Sequence, residues 1–203
     1  MENPARYGEQ FFAHNDNTLW INQYFASSLN WKDAGIQIQI ETSFPESELI
    51  QITFDCKASK QLELKLRHPQ WCDQPTIRIN GAAQPIESSP GSYLTIEQQW
   101  QHGDQITLTL PMKLRTEALP HSEDKIVSLM YGPTLLASVI PDSPEIYSPA
   151  KERYSEHLEA RGKTDAFPPV IVAPSKEAIL ASVTPSGNTP LEFESGSILR
   201  PTP

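Results

Sequence analysis

Apolar residues recur at every second position through the middle of the chain, and this period excludes most folds. Ile36, Ile38 and Ile40 alternate with Gln37, Gln39 and Glu41; Ile50, Ile52 and Phe54 repeat the pattern, followed by Leu62, Leu64 and Leu66, then Ile77 and Ile79. Successive side chains of a strand point to opposite faces, so this spacing gives one dry and one wet face. Wound into a helix, the same residues would be scattered around the whole circumference. Leu19, Ile21 and Tyr24 predict an earlier strand, and 93–97, 106–110, 125–131 and 134–140 predict later ones. Asn80-Gly81 is a two-residue hairpin signal, because both positions of the favoured turn need φ > 0. Short strands with polar turns between them, and no alternation with helices, argue against a parallel α/β sheet. The expectation is an all-β fold, an antiparallel β-sandwich of jelly-roll type.

The two ends break this pattern. Asn3 and Pro4 suit an N-cap and a first helical position, and Ala5, Phe11 and Phe12 supply part of an apolar face, so 3–13 predicts a short helix. His14-Asn15-Asp16-Asn17 would end it with turn chemistry. Such a helix is marginal unless it docks on something else. From Pro141 the chain turns rich in Pro, Ser and charge, with 167–172 a candidate edge strand and 184–203 lacking a closing element. The predicted organisation is therefore 1–15 helical, 16–140 β-sandwich, and 141–203 a linker with an irregular, Pro-rich C-terminal segment.

Chemistry-bearing motifs are sparse. The net charge of −9 argues against sequence-independent binding to nucleic acid or anionic membranes, which needs Lys and Arg. No apolar run approaches the roughly 20 residues of a membrane-spanning helix, and the first residues carry no signal-peptide pattern. The two cysteines, Cys56 and Cys72, make neither a disulfide framework nor a zinc signature. Cys56 continues the alternation of its strand and reads as a small buried apolar side chain; Cys72 falls in a loop. The histidines at 14, 68, 102, 121 and 157 show no metal-binding spacing and read as loop or surface residues. Glu41, Glu46, Glu48, Glu63, Glu97, Asp104, Glu117, Glu123 and Asp124 fall on polar strand faces or in turns, and no nucleophile elbow or phosphate loop occurs.

Four tryptophans remain, Trp20, Trp31, Trp71 and Trp100. A flat indole matches the C–H face of a sugar ring, yet it also buries more area than any other side chain. Trp100 follows an alternating strand and reads as a packing anchor. Trp31 and Trp71 lie outside the regular alternation and are the candidates for carbohydrate contact.

An ordered series of segments resembles one family. The series runs from Met1-Glu2-Asn3-Pro4-Ala5-Arg6-Tyr7-Gly8-Glu9 through Thr18-Leu19-Trp20-Ile21-Asn22-Gln23-Tyr24 and Ser28-Leu29-Asn30-Trp31. It continues in Leu64-Lys65-Leu66-Arg67-His68-Pro69-Gln70-Trp71, Pro90-Gly91-Ser92-Tyr93-Leu94-Thr95-Ile96 and Trp100-Gln101-His102-Gly103-Asp104. Leu110-Pro111-Met112 and Tyr131-Gly132-Pro133 close it. In order and approximate spacing the series is similar to the β-sandwich that follows the catalytic domain in glycoside hydrolase family 127, the β-L-arabinofuranosidase type. The resemblance covers roughly residues 2–140.

The resemblance implies that catalysis belongs to a preceding (α/α)6 barrel carrying a cysteine nucleophile, zinc-binding cysteines and glutamates, and an acid/base glutamate. Neither Cys56 nor Cys72 matches that nucleophile segment. No catalytic residue, metal ligand or cofactor is therefore carried over to this chain, and zinc is expected only in the barrel. Helix 1–15 would be the last element of the barrel, and the stretch after 167 the start of a further β region, cut short. The implied role is a non-catalytic accessory domain bracing the barrel of a retaining hydrolase, with that barrel, and an oligosaccharide, as partners. Two other readings stand beside it: an autonomous carbohydrate-binding module using Trp31 or Trp71, and an interaction module self-associating through the N-terminal helix. The compartment is not legible.

Overall fold

The computed structural model describes residues 8, 10–122, 126–137, 173–187 and 189–196. It is mostly β, and the chain divides into two compact units, Met1–Lys113 with Tyr131–Thr134, and Leu114–Met130 with Leu135–Pro203.

Among its described residues the first unit holds ten strands. In chain order these are β1 (Phe12–His14), β2 (Thr18–Ile21), β3 (Ser27–Trp31), β4 (Ile36–Thr42), β5 (Leu49–Cys56), β6 (Lys60–Arg67), β7 (Thr76–Ile79), β8 (Ala82–Gln84), β9 (Tyr93–Trp100) and β10 (Gln105–Thr109). They form a four-stranded sheet in the order β1-β2-β6-β9 and a six-stranded sheet in the order β3-β4-β5-β10-β7-β8. The alternation read from sequence is the alternation of burial: in β4, Ile36, Ile38 and Ile40 are buried while Gln37, Gln39 and Glu41 are exposed. One hydrophobic cluster takes Leu19, Leu62, Leu64 and Leu66 from the smaller sheet and Ile38, Ile50, Ile52 and Ile106 from the larger. The rings of Phe54 on β5 and Trp100 on β9 stack across it, with centroids 4.2 Å apart. Trp100 also donates its indole N–H to the Leu62 carbonyl at 3.2 Å, so its polar atom is satisfied inside the core.

Asn80 (φ 50°) and Gly81 (φ 80°) make the β7–β8 hairpin, with Ile79 opposite Ala82. Asn80 also donates to the Asp104 carboxylate and accepts from the Gln105 backbone N–H, pinning the turn to β10.

Three expectations change. Where the sequence predicted the end of a helix, Phe12–His14 is a strand paired antiparallel with β2. The Asn15 carboxamide oxygen accepts the N–H groups of Asn17 and Thr18, closing a hairpin rather than ending a helix. Most of the predicted helical segment lies outside the described residues. The sheets are not wholly antiparallel, since β2 runs parallel to β6. Parallel neighbours need a long crossover, and here β3, β4 and β5 of the other sheet supply it.

After the ten strands, β11 (Leu114–Ala118), β12 (Val127–Tyr131) and β13 (Thr134–Leu135) form a three-stranded sheet. The described part of the C-terminal stretch is not irregular as predicted. It holds helix α1 (Lys176–Ser182), followed by a hairpin of β14 (Val183–Pro185) and β15 (Phe193–Ser195). Ser175 caps α1 by accepting from the Ala178 N–H. The candidate edge strand at 167–172 lies outside the described residues.

Candidate functional site

Three of the segments singled out in the sequence, 22–24, 67–71 and 91–93, converge at one end of the four-stranded sheet. The run after β2, the end of β6 and the start of β9 meet there because β2 and β9 both flank β6. Arg67 and Tyr93 are directly paired in the β6–β9 register. Beside that pair lies a cleft of about 290 Å³, lined by Asn22, Gln23, Phe25, Arg67, Gln70 and, from the β4–β5 connection, Phe44, together with Tyr24 and Pro69.

The walls are held by polar contacts that are part-buried or exposed. Tyr24 is buried and donates its hydroxyl to the Arg67 carbonyl at 2.6 Å. Burial pushes its phenol well above the usual range, helped by nearby Tyr93 and opposed by the Arg67 charge. Tyr93 donates to the Asn22 side-chain oxygen at 2.8 Å, and the Asn22 amide donates to the Gln10 carbonyl. Gly91, at φ 85°, lets the 88–92 loop pass close to Gln70: a Cβ there would lie 2.5 Å from the Gln70 side-chain oxygen. The aromatic lining is graded, with Phe44 partly buried against the core and Phe25 44% exposed and stacked on Phe11 at 5.0 Å. The Arg67 guanidinium lies over the Tyr93 ring at 5.4 Å.

His68, read from sequence as a loop or surface residue, lies in the loop after β6 but is only 1% exposed. Its Nε2 lies 2.7 Å from the Cys72 carbonyl and its Nδ1 2.8 Å from the Ser88 hydroxyl. A carbonyl only accepts, so Nε2 carries the hydrogen and the ring ties the 68–72 loop to the 88–92 loop beneath the cleft. Alternation could not reveal this, because His68 owes its burial to two loops and not to a strand face.

Trp71 stacks on Phe44, with centroids 6.2 Å apart and planes 19° apart, and packs partly buried beside the cleft. Trp31 sits elsewhere, at the end of β3 on the edge of the six-stranded sheet. It is 7% exposed, with His14 against one side of its ring at 4.4 Å and the Lys60 ammonium 5.3 Å from its centroid. The two candidates thus do not share a site. Asn22, Gln23, Arg67 and Gln70, absent from the sequence-based candidates, are polar or charged side chains of the cleft. The signal that could have found them was their membership in two of the quoted segments.

Cys56 and Cys72 are both buried with free thiols. Burial raises each thiol above its usual pKa, and nearby carboxylates add to the effect, the reverse of what a nucleophile or metal ligand needs. Among the described residues no group of three or more His, Cys, Asp or Glu side chains could hold a metal ion. No helix among them is long and apolar enough to cross a membrane.

Residues 18–112 match the family model described as the middle domain of GH127 β-L-arabinofuranosidase. No curated protein matches significantly. Among solved structures, a GH127 β-L-arabinofuranosidase from Geobacillus stearothermophilus T6 is similar at 25% identity and TM-score 0.59, over 64% of this chain and 22% of that one. A second structure, described as a glycoside hydrolase, is similar at 25% identity and TM-score 0.56, over 62% of this chain and 22% of that one. A GH127 β-arabinofuranosidase shares the fold at 22% identity and TM-score 0.53, over 62% of this chain and 23% of its own. The chain thus spans less than a quarter of the length of these solved relatives.

Proposed function

We propose that the chain, whose residues 18–112 match the GH127 middle-domain model, is a non-catalytic β-sandwich accessory region of a glycoside hydrolase, bracing an (α/α)6 catalytic barrel. The observation that carries this reading is the single core shared by both sheets within the matched stretch. Two sheets closing on one dry cluster make a stiff body, suited to holding a neighbour in place. The side chains also favour support over chemistry, since both thiols are buried and raised in pKa. The substrate of the whole enzyme would be an arabinofuranoside or a related glycan, with zinc and the cysteine nucleophile in the barrel.

Incubating the purified chain with a chromogenic β-L-arabinofuranoside, with and without added zinc, tests the non-catalytic part. The expected result is no release above the buffer control. Turnover that follows the protein through gel filtration and disappears on heat denaturation would overturn it.

A further inference from the structure

We propose that the cleft at the end of the four-stranded sheet binds an acidic sugar residue, a uronate within a glycan chain, with Arg67 as the group that reads the carboxylate. This goes beyond the bracing role and does not depend on it. The chain carries 25 acidic against 16 basic side chains, and Arg67 is the one cation among the described residues lining this cleft. Arg67 has no carboxylate within 4 Å among the described residues; the ion pairs formed there involve Lys65, His102, Lys113 and Arg115. The Arg67 guanidinium lies over the Tyr93 ring, 5.4 Å from the centroid, at the end of β6. A guanidinium presents a planar fork of N–H donors that matches a carboxylate in two parallel bonds.

The rest of the cleft suits a sugar better than an acidic peptide. Asn22, Gln23 and Gln70 place carboxamides, which both donate and accept, around Arg67, as ring hydroxyls require. Phe25 and Phe44 give apolar faces for the C–H side of the ring. The volume of about 290 Å³ takes one or two sugar rings rather than a helix.

Trigalacturonate titrated into the full chain by calorimetry is the test, with a neutral arabino-oligosaccharide of similar length alongside. The expected result is saturable binding of the uronate only, weakening as salt rises. Arg67→Gln should weaken it about tenfold to a hundredfold, as for a lost hydrogen bond to a charged group, with Arg67→Lys in between. Phe25→Ala alters an exposed ring and keeps the test usable should an Arg67 variant fail to fold; it should weaken binding severalfold. No saturation at millimolar trigalacturonate would overturn the proposal. So would equal affinity for the neutral sugar, or unchanged binding by both Arg67→Gln and Phe25→Ala. Binding of a poly-glutamate peptide as tightly as trigalacturonate would also overturn it, in favour of a protein partner.

Discussion

Trp100 joins the two sheets through a ring stacked on Phe54 and an N–H given to the Leu62 carbonyl, with no exposed surface. Trp100→Ala is expected to cost about 3–5 kcal/mol, the range for emptying a large aromatic site, read as a lower urea midpoint. Trp100→Phe keeps the stack but loses the hydrogen bond to the Leu62 carbonyl, and should cost about 0.5–1.5 kcal/mol. A loss below 1 kcal/mol for the alanine variant would mean that the sheets do not depend on this contact. The sequence identified Trp100 as an anchor because it ends an alternating strand. It could not separate Trp31 from Trp71, since each sits where alternation stops and burial is set by distant partners. For Trp31 those are His14 and Lys60; for Trp71 the main one is Phe44.

Elements whose one face is buried announced themselves, and the others did not. β4, β5, β6 and β10 alternate strictly because each packs one face on the shared core. β3 was missed, since its run Ser-Ser-Leu-Asn-Trp buries fully only Trp31. The parallel pairing of β2 with β6 was not legible, because a local period says which face is dry but not which strand lies alongside. Phe11 and Phe12, adjacent and apolar, suggested a helix face, whereas Phe12 enters a hairpin and Phe11 stacks on Phe25. Helix α1 did carry a readable signal, a capping serine ahead of Lys-Glu-Ala-Ile-Leu-Ala. The surrounding prolines masked it. Replacing Ser175 by Ala should cost about 1 kcal/mol, seen as faster amide exchange in α1 with exchange in β4 and β5 unchanged. At the β7–β8 turn, Gly81→Ala must hold a Cβ at φ 80° and should destabilise the chain by about 1 kcal/mol. A neutral effect there would contradict the turn geometry.

At the scale of the molecule, burial sets the response to pH. Tyr24, Cys56 and Cys72 all have acid groups raised by burial, so the folded state favours their neutral forms. Their contribution is complete below the unfolded values, about 8.5 for a thiol and about 10 for a phenol, and is lost as pH rises through the raised folded values. The urea midpoint should thus fall as pH is taken from 8 to 10.5, and a rising midpoint would contradict the burial of these groups. Both thiols should also resist a disulfide reagent at pH 8 until denaturant unfolds the chain.

The bracing role is the central claim, and joining the chain to a barrel tests it most directly. A fusion placing an (α/α)6 barrel of the kind proposed as the partner ahead of this chain should outlast that barrel alone on heating. The expected gain in inactivation half-life is about tenfold, equivalent to roughly 1.4 kcal/mol, and should vanish when the fused chain carries Trp100→Ala. Equal half-lives for the barrel alone, the intact fusion and the Trp100→Ala fusion would contradict the account.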